Sequence, residues 1–434
     1  MASLSVVMIV RDEADCLAAC LDSVRAVAGE IVVADTGSTD DSVAVAARFG
    51  ARVLHVPWRD DFAAARNEAL AAATGDWLLH VDADEILDPS GAESMHDLLC
   101  ADGNGADAIE VTLRNYCNDI RAWRWQVVEP RDPFARGYAG YLPVGLLRLF
   151  RNGRGFEYRE PVHESISESV VERGGVIATA PIVIHHYGFE TTPEKVAEKR
   201  RRYYAIAKTK SAQRPRDPKA WHDLAEQALA VGETAVAEGA ARKALEIDPV
   251  HLPAATTLGT ILLNRGDIEG ARTLFERVEA KGIRVPHVAT ALGAIACKQG
   301  RLDEAHTRLQ TVANEYPKDI QSRLYLARVS DRTGASDAAR TRLVEALAIA
   351  PSLPELEDRL RAHDLREEAR QMLAVATDAG RISQAMRLLV KSLRLDPEDS
   401  IPYRALGAAL ESLGRHDQAK AQFDRADRLE GIRN

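Results

Sequence analysis

The sequence lacks paired cysteines, long apolar runs and an excess of basic residues, and each absence excludes a class of protein. Its five cysteines contain no C-x-x-C pair and are odd in number, which predicts a reduced, cytoplasmic protein without structural zinc. No apolar run approaches the roughly 20 residues that a membrane helix requires. The formal net charge of -9, without a long basic tract, argues against nucleic acid as a partner.

The N-terminus also lacks the features of a signal peptide. No basic group precedes Arg11, and Arg11 and Asp12 follow too early for a long apolar segment. We therefore expect no signal peptide and a cytoplasmic location.

What the N-terminal part does contain is a regular alternation of short apolar runs with helical patterns. The runs are residues 5–10, 31–34, 53–56 and 77–81. Between the first two runs, apolar residues recur one helical turn apart at Leu17, Leu21 and Val24. Strands that alternate with helices of this length predict an α/β fold with a mostly parallel sheet and right-handed crossovers.

Polar side chains follow each of the four runs. They are Arg11, Asp12 and Glu13 after the first, Asp35 after the second, Asp60 and Asp61 after the third, and Asp82 and Asp84 after the fourth. In an open α/β sheet, ligands bind just beyond the carboxyl ends of the strands. Polar strand ends along one edge of the sheet therefore predict a binding site there.

The fourth run ends in three carboxylates that lie close together in the sequence, Asp82, Asp84 and Glu85. Like charges this close repel one another and cost free energy to bury, so the group needs a cation or wide exposure. A hard divalent ion such as Mg²⁺ or Mn²⁺ prefers oxygen ligands and also takes phosphate oxygens of a substrate. For this motif alone, a solvated acidic turn is the alternative interpretation.

Four ordered blocks carry a resemblance to a known family. They are M-I-V-R-D-E at 8–13, V-A-D-T-G-S-T-D at 33–40, D-F-A-A-A-R-N-E-A-L at 61–70 and D-W-L-L-H-V-D-A-D-E at 76–85. In these blocks the sequence resembles the inverting glycosyltransferases of family 2, with lipopolysaccharide-core glucosyltransferases and sublancin-type peptide S-glycosyltransferases as similar groups. The resemblance implies a GT-A fold, a Rossmann-like sheet that binds a nucleotide-diphospho-sugar.

The resemblance also implies roles for particular residues. The implied donor-binding residues are Val10, Arg11, Glu13, Asp35, Asp61, Arg66, Asn67 and Asp82. The implied ligands of a Mn²⁺ or Mg²⁺ ion are Asp84, Asp82 and His186, with His186 matching the family better than its neighbour His185. The implied donor is a UDP-sugar. For Arg66 and Asn67, a solvated helix face is the alternative.

An inverting transfer also needs a carboxylate opposite the sugar as general base. Arg-Leu-Phe-Arg at 148–151, followed by His163 and Glu164, resembles the same group of glycosyltransferases. Glu164 is therefore the first candidate base, and Glu85 is the second. His163 either orients Glu164 or is structural.

The segment at residues 115–140 reads as loop-rich and has aromatic residues in it or beside it. These are Trp123, Trp125, Phe134, Tyr138 and Tyr141. Exposed rings of this kind stack on sugars or on a peptide, and the alternative is that they pack a flap or small subdomain. The sequence leaves both interpretations open.

The C-terminal half repeats itself with a period of 34 residues. The recurring positions include Gly232, Gly266, Gly300 and Gly334, in step with Ala237, Ala271, Ala305 and Ala339. This period is typical of tetratricopeptide repeats, in which two helices form each unit. Since each unit needs neighbours to bury its apolar face, the array predicts an all-α solenoid with a concave groove.

The predicted domain organisation has three parts. They are a GT-A glycosyltransferase domain at 1–190, a basic linker helix at 191–217, and a tetratricopeptide-repeat domain at 218–434. We expect about six repeats in the last part, with an irregularity near 354–365.

Together these features predict an inverting, metal-dependent glycosyltransferase that moves a sugar from a nucleotide-diphospho-sugar to a peptide or protein held in the groove of the repeats. One alternative is a glycan acceptor such as lipopolysaccharide core, with the repeats used for assembly, for example into a homodimer. A second alternative is a non-enzymatic repeat adaptor, which the intact Asp82, Asp84 and Arg66 argue against.

Overall fold

A computed structural model describes residues 2–120, 122, 124–129, 131–161, 164–188, 193–283 and 285–430, except for the side chains of residues 193–196, 198 and 199. By its contacts the chain divides into two units. One is Met1–Cys117 with Tyr141–Val196, and the other is Asn118–Gly140 with Ala197–Asn434. We call them the sheet unit and the repeat unit. The domain boundaries expected from the sequence stay a prediction.

The sheet unit is built around a mixed β-sheet. The strands of the described chain are β1 (Leu4–Val10), β2 (Glu30–Asp35), β3 (Arg52–His55), β4 (Trp77–His80), β5 (Glu85–Leu87), β6 (Ala108–Cys117), β7 (Gln126–Val127), β8 (Gly140–Arg151) and β9 (Ile177–His186). Their order is β3-β2-β1-β4-β8-β6-β9-β5, and β7 lies off this path.

The strands β3, β2, β1 and β4 are parallel, as the alternation in the sequence predicts. Val6, Val32 and Leu79, near the middle of β1, β2 and β4, are fully buried. Parallel strands covered on both faces take nearly continuous apolar runs, which is the pattern that the sequence has here. The α/β class of the N-terminal part is therefore confirmed. β8 continues the sheet in the antiparallel direction, with Leu149 opposite Leu79.

Helices connect these strands. Those of the described sheet unit are α1 (Ala14–Val24), α2 (Ser42–Arg48), α3 (Phe62–Ala72), α4 (Pro89–Cys100) and α5 (Ser167–Glu172). α3 begins after Asp61, whose Oδ1 accepts a hydrogen bond from the Ala64 N–H at 2.9 Å as an N-cap. Gly75 lets the chain enter β4 beside β1, because a Cβ at this position would lie 2.7 Å from the Ser5 nitrogen.

From residue 197 onward, the described part of the repeat unit is an all-α array, as predicted. Its helices are α6 (Pro193–Gln213, with its first turn in the sheet unit), α7 (Pro218–Ala230), α8 (Thr234–Ile247), α9 (Leu252–Asn264), α10 (Ile268–Ala280), α11 (Pro286–Lys298), α12 (Leu302–Glu315), α13 (Ile320–Arg332), α14 (Ser336–Ile349), α15 (Pro354–Ala374), α16 (Ala379–Leu395), α17 (Ser400–Ser412) and α18 (His416–Glu430). From α7 onward, consecutive helices contact each other in pairs, and each pair occupies one repeat of the sequence.

Small residues recur where the two helices of a repeat meet. A Cβ on Gly259 would lie 2.2 Å from the Phe275 ring, and a Cβ on Gly407 would lie 2.6 Å from the Phe423 ring. These close approaches explain why the repeating sequence keeps glycine or alanine at such positions. The irregularity expected near 354–365 corresponds to a longer helix, since α15 has 21 residues whereas α13 has 13.

Residues 118–140 are part of the repeat unit although they lie between two strands of the sheet unit. We call them the excursion. Its residues Ile120, Val127 and Ala139 are buried in one apolar cluster with Leu324 of α13 and other side chains of α13–α15. Trp125 packs against the same cluster, which favours the packing interpretation for this ring, whereas Trp123 lies outside the described residues.

Within the described ranges, no helix combines the length and the apolar character needed to cross a membrane.

Candidate active site

The loop after β4 folds back on itself and gathers the predicted carboxylates. Glu85 Oε2 accepts a hydrogen bond from the Asp82 N–H at 2.9 Å, and the Glu85 N–H donates to the Asp82 carbonyl oxygen at 3.1 Å. These two bonds close a tight turn at the carboxyl end of β4. Asp82, Asp84 and Glu85 are therefore held in one short loop.

Two buried arginines bind this loop, and one of them, Arg66, joins it to Glu164. Arg66, from α3, donates from Nε to Glu164 Oε1 at 2.7 Å and from Nη1 to Asp82 Oδ1 at 2.9 Å. Arg148, from β8, donates from Nη2 to Glu85 Oε1 at 2.8 Å and to Asp82 Oδ2 at 3.2 Å. We call Arg66, Asp82, Glu85, Arg148 and Glu164 the ionic cluster. It brings together four residues that the sequence predicts as part of the site.

The surroundings of the ionic cluster decide how its members are charged. Burial raises the pKa of Asp82, but Arg66 and Arg148 outweigh burial and hold this pKa well below its usual range. Burial lowers the pKa of Arg66, but Asp82 and Glu164 outweigh burial, so this pKa is raised. Burial raises the pKa of Glu85 to about 7; Arg148 acts against this shift and Asp82 adds to it. Asp82 and Arg66 therefore form a fully ionised pair.

The two candidate bases differ in accessibility. Glu85 is 1% exposed, with one carboxylate oxygen bound to Arg148 and the other to the Asp82 N–H. The Glu164 side chain is 14% exposed and binds Arg66 through Oε1. An acceptor group can therefore approach Glu164 more readily than Glu85. His163, the other predicted catalytic residue, lies outside the described residues.

His80 and Tyr158 complete the surroundings of the ionic cluster, and neither is among the site residues that the sequence predicts. His80 Nδ1 lies 2.8 Å from the Tyr158 hydroxyl, and Arg66 Nη1 contacts His80 Nε2. Burial and the charges of Arg148 and Arg66 hold the pKa of His80 well below its usual value, so the ring is neutral. The one sequence signal that could have identified His80 is that it is a polar residue inside the otherwise apolar run at 77–81.

A second group of side chains lies at the same loop. Asp84 Oδ2 is 3.1 Å from His186 Nε2, and both side chains are about one-quarter exposed. His186 Nδ1 is 2.6 Å from the Asn115 side-chain oxygen. Its neighbour His185 is fully buried between the Tyr116 hydroxyl, at 2.8 Å, and Asp88, at 3.0 Å. Of the two histidines, His186 is the one that meets a predicted metal ligand.

The Asp84–His186 pair suits a divalent cation by its chemistry. A carboxylate oxygen and an imidazole nitrogen that face each other require either a proton on the ring or a nearby cation. Burial lowers the pKa of His186, but the Asp84 carboxylate outweighs burial and raises it. No group of three or more His, Cys, Asp or Glu side chains in the described part of the chain is arranged to hold a metal. Asp82, the third predicted ligand, is bound by arginines instead.

The predicted nucleoside-binding residues lie at the ends of β1 and β2. Val10 is opposite Asp35 in the parallel register, and Arg11 follows on the surface. Asp35 accepts hydrogen bonds from the N–H groups of Gly37, at 3.3 Å, and Ser38, at 3.0 Å. Burial raises the pKa of Asp35, but hydrogen bonds from the Ser38 side chain and backbone, from His55 and from the Gly37 N–H outweigh burial and lower it. Glu13 follows just before α1 and accepts a hydrogen bond from the Cys16 thiol.

Two of the residues predicted to bind the sugar donor have structural roles in this fold. Asp61 caps α3. Asn67 holds the Tyr158 backbone on both sides, because its Oδ1 accepts from the Tyr158 N–H at 2.8 Å and its Nδ2 donates to the Tyr158 carbonyl oxygen at 2.9 Å. Asn67 thereby ties α3 to the segment that carries Glu164.

Comparison with known families matches this architecture. Residues 5–155, which include β1–β4 and most of the ionic cluster, match the model of glycosyl transferase family 2. The N-terminal part of the chain is a family 2 glycosyltransferase domain. Residues 222–286 and 290–354 match a tetratricopeptide repeat model, in agreement with the helix pairs of the repeat unit.

The names of similar proteins refer either to the repeats or to glycosyl transfer. The chain is 39% identical over 196 residues to a TPR repeat-containing protein of Synechococcus elongatus, covering 44% of this chain and 43% of that protein. It is 32% identical over 174 residues to the lipopolysaccharide core biosynthesis glycosyltransferase LpsC of Rhizobium meliloti, covering 38% and 56%. It is 26% identical over 217 residues to the SPbeta prophage-derived glycosyltransferase SunS of Bacillus subtilis, covering 49% and 46%. The chain thus spans about half the length of these relatives.

Proposed function

We propose that this chain is an inverting, metal-dependent glycosyltransferase that transfers a sugar from a UDP-sugar to a peptide or protein held by its repeats. The observation that carries the proposal is Glu164, a partly exposed carboxylate bound to the buried Arg66 beside the loop after β4. An inverting transfer needs a base for the acceptor and a group that stabilises charge on the leaving diphosphate. Glu164 and Arg66 supply these two chemical functions.

Glu164 is the proposed base. The proton of the acceptor hydroxyl or thiol moves to a Glu164 carboxylate oxygen as the acceptor atom bonds to the anomeric carbon. The bond between that carbon and the diphosphate oxygen breaks, and attack from the opposite face inverts the configuration. The hydrogen bond from Arg66 orients the Glu164 carboxylate for this step. Glu85 is the weaker candidate because it is buried and both of its oxygens are engaged.

Arg66 is the proposed stabiliser of the diphosphate. A guanidinium is permanently charged and presents several N–H donors in one plane, which suits phosphate oxygens. Its position on α3 is fixed by hydrogen bonds to Asp82 and Glu164. Val10, Arg11, Glu13 and Asp35, at the ends of β1 and β2, are proposed to bind the nucleoside, as the family resemblance implies.

Asp84 and His186 are the proposed ligands of Mn²⁺ or Mg²⁺. Such an ion, when bound, offsets negative charge on the departing diphosphate. The chain supplies one carboxylate and one imidazole from the loop after β4 and the end of β9. Few protein ligands are usual for these ions at phosphate sites, because substrate oxygens and water complete the coordination.

The acceptor is proposed from the repeats. A repeat array that stacks helix pairs forms an extended surface suited to a peptide or protein, and the repeats here are supported by both the helix pairs and the family match. A second candidate is a glycan acceptor, favoured by the similarity to LpsC, with the repeats used for assembly into a homodimer. A cytoplasmic location, where nucleotide sugars would be the donors, stays a prediction.

The proposal is tested by incubating the full chain with Mn²⁺, a panel of UDP-sugars, and either cysteine-, serine- or threonine-containing peptides or lipopolysaccharide core oligosaccharide. Mass spectrometry then gives the sugar mass and the attachment site together. We expect a hexose on the peptide, lost in Asp84→Asn and retained in Asp97→Asn, a control at an exposed position on α4. Transfer only to the oligosaccharide would favour the glycan acceptor, and transfer by Asp84→Asn at the unsubstituted rate would contradict the metal site.

A further inference from the structure

Asn115 lies beside the proposed metal ligand His186 and bonds to it directly. The two residues are partners in the parallel pairing of β6 with β9. The Asn115 side-chain oxygen is 2.6 Å from His186 Nδ1, and its Nδ2 donates to the Leu142 carbonyl oxygen in β8 at 3.3 Å. One amide thus connects three strands at the end of β6.

The second of these bonds fixes which way the amide faces. A carbonyl oxygen only accepts hydrogen bonds, so the Asn115 nitrogen must face Leu142 and the Asn115 oxygen must face His186. Because an amide oxygen also only accepts, His186 Nδ1 must carry a hydrogen. A neutral imidazole has one N–H and one lone pair, so the lone pair of His186 is then on Nε2.

The lone pair on Nε2 is on the nitrogen that meets Asp84, whose Oδ2 lies 3.1 Å away. We propose that Asn115 is a positioning residue that fixes the tautomer and ring orientation of His186, so that Nε2 and Asp84 are presented together to a divalent cation. This inference rests on the proposed function, in which Asp84 and His186 bind the metal.

The neighbouring His185 shows how a histidine with a structural role is held. His185 has Tyr116 on Nδ1 and Asp88 on Nε2, so both of its ring nitrogens are engaged within the fold. Its side chain is fully buried and is held there by these partners, whereas the side chains of His186 and Asp84 are about one-quarter exposed. Asn115 therefore holds Nδ1 of a histidine whose Nε2 faces Asp84 at an accessible position. Partners of this kind behind a metal-binding histidine typically change metal affinity by about 10–100-fold when removed.

The test measures the dissociation constant of Mn²⁺ from the metal-free full chain by electron paramagnetic resonance of free Mn²⁺, with and without UDP. We expect Asn115→Ala to weaken Mn²⁺ binding by about 10–100-fold. Asn115→Asp keeps an acceptor for the His186 Nδ1 hydrogen, so its affinity should equal or exceed that of the unsubstituted chain. If Asn115→Ala does not fold, Asn115→Val, which suits a β-strand and has no polar atom, takes its place.

The aspartate variant separates positioning from simple structural support. Both Asn115→Ala and Asn115→Asp lose the donor to the Leu142 carbonyl oxygen, so a residue that only held β8 would weaken Mn²⁺ binding in both. Asn118→Ala is the matched control: Asn118 accepts a hydrogen bond from the Ala139 N–H at 2.7 Å within the excursion. Its loss should leave Mn²⁺ affinity unchanged.

His186→Ala distinguishes failure of this inference from failure of the proposed metal site. If His186→Ala weakens Mn²⁺ binding while Asn115→Ala binds as tightly as the unsubstituted chain, the positioning role is overturned and the metal site stands. If Mn²⁺ binds His186→Ala and the unsubstituted chain equally, the metal site itself is wrong. Equal weakening by Asn115→Ala and Asn115→Asp also overturns the positioning role.

Discussion

Arg66 of the sheet unit and Arg366 of the repeat unit are bonded in nearly the same way. Both are almost completely buried, and each binds two carboxylates. Arg66 lies 2.9 Å from Asp82 and 2.7 Å from Glu164, whereas Arg366 lies 2.7 Å from Asp331 and 2.6 Å from Asp399. By their ion pairs alone, the two arginines would be given the same role.

Their surroundings separate them. Asp331 lies near the end of α13 and Asp399 caps α17, so Arg366, on α15, joins the first helices of three successive repeats. Arg366 also has a third carboxylate, Glu367, at 3.7 Å, and a histidine, His363, beside Asp331. Arg66 differs because a second buried arginine, Arg148, binds the same carboxylate, Asp82, at the carboxyl end of β4. A buried ion pair therefore does not identify a functional site by itself. The other charged groups that lie around it, and its place in the fold, are needed as well.

The largest effect is expected at Glu164, the partner of Arg66 that we assign as base. Glu164→Gln keeps the shape and the capacity to accept a hydrogen bond from Arg66 but removes basicity. The kcat should fall by about 10²–10⁴-fold with little change in the KM for the donor. Steady-state rates at varied donor concentration measure both constants. A kcat within a few-fold of the unsubstituted enzyme would move the assignment to Glu85 or elsewhere.

Arg366→Met should affect stability and leave the chemistry intact. Removing the guanidinium leaves Asp331 and Asp399 partly buried without their cation, which typically costs about 3–5 kcal/mol. Thermal unfolding followed by circular dichroism should show a lower Tm, with transfer rates per folded molecule unchanged well below that Tm. Arg340→Met, at an exposed arginine of α14 paired with Asp364, is the control and should leave the Tm nearly unchanged. If a fully folded Arg366→Met chain no longer transferred sugar, Arg366 would have a role in activity, and the structural role assigned to it would be wrong.

Asn67→Ala tests how the Glu164 segment is held. Losing the two hydrogen bonds to the Tyr158 backbone should destabilise the sheet unit by about 1–3 kcal/mol, since buried backbone groups would lose their partner. If Asn67 acts through that segment, kcat should fall more than donor affinity. A weaker affinity for UDP with unchanged kcat would instead make Asn67 a direct donor contact, as the family resemblance implies.

The smallest effect is expected at an exposed ion pair of the repeat unit. Lys318 Nζ lies 2.6 Å from Glu129 Oε1, and both side chains are about two-thirds exposed. Lys318→Met should change the free energy of unfolding by less than about 1 kcal/mol, because water and salt screen such a pair. Urea denaturation in low and high salt measures it. If Lys318→Met lowered the free energy of unfolding as much as Arg366→Met, burial would not explain the difference in stability between these ion pairs.

Elements with a local sequence period were predictable. The strands β1–β4 and the helices between them follow from apolar runs and helical spacing, and the repeats follow from residues that recur in step. Asp82 and Glu85 could also be placed at a strand end, because the run that precedes them is β4 itself. In each case the signal lies within a short stretch of chain.

The partners of those carboxylates could not be placed from the sequence. Arg148 reaches Asp82 because the antiparallel β8 inserts beside β4, a pairing between segments distant in the chain. The sequence predicts Asn67 as a donor contact, with a solvated helix face as the alternative, and neither interpretation points to the Tyr158 backbone that it contacts. Such contacts depend on sheet topology, which leaves no periodic signature at either residue.

Because the excursion belongs to the repeat unit, the sheet unit is discontinuous along the chain. The apolar residues of the excursion, Ile120, Val127 and Ala139, are covered by α13–α15, far along the chain. Truncation of the chain before the first repeat would therefore leave these apolar residues exposed to solvent in the remaining N-terminal fragment. A fragment that keeps these residues covered must therefore combine segments that are far apart in the chain. To transfer this glycosyltransferase domain to another protein, one must include α13–α15 or redesign residues 118–140.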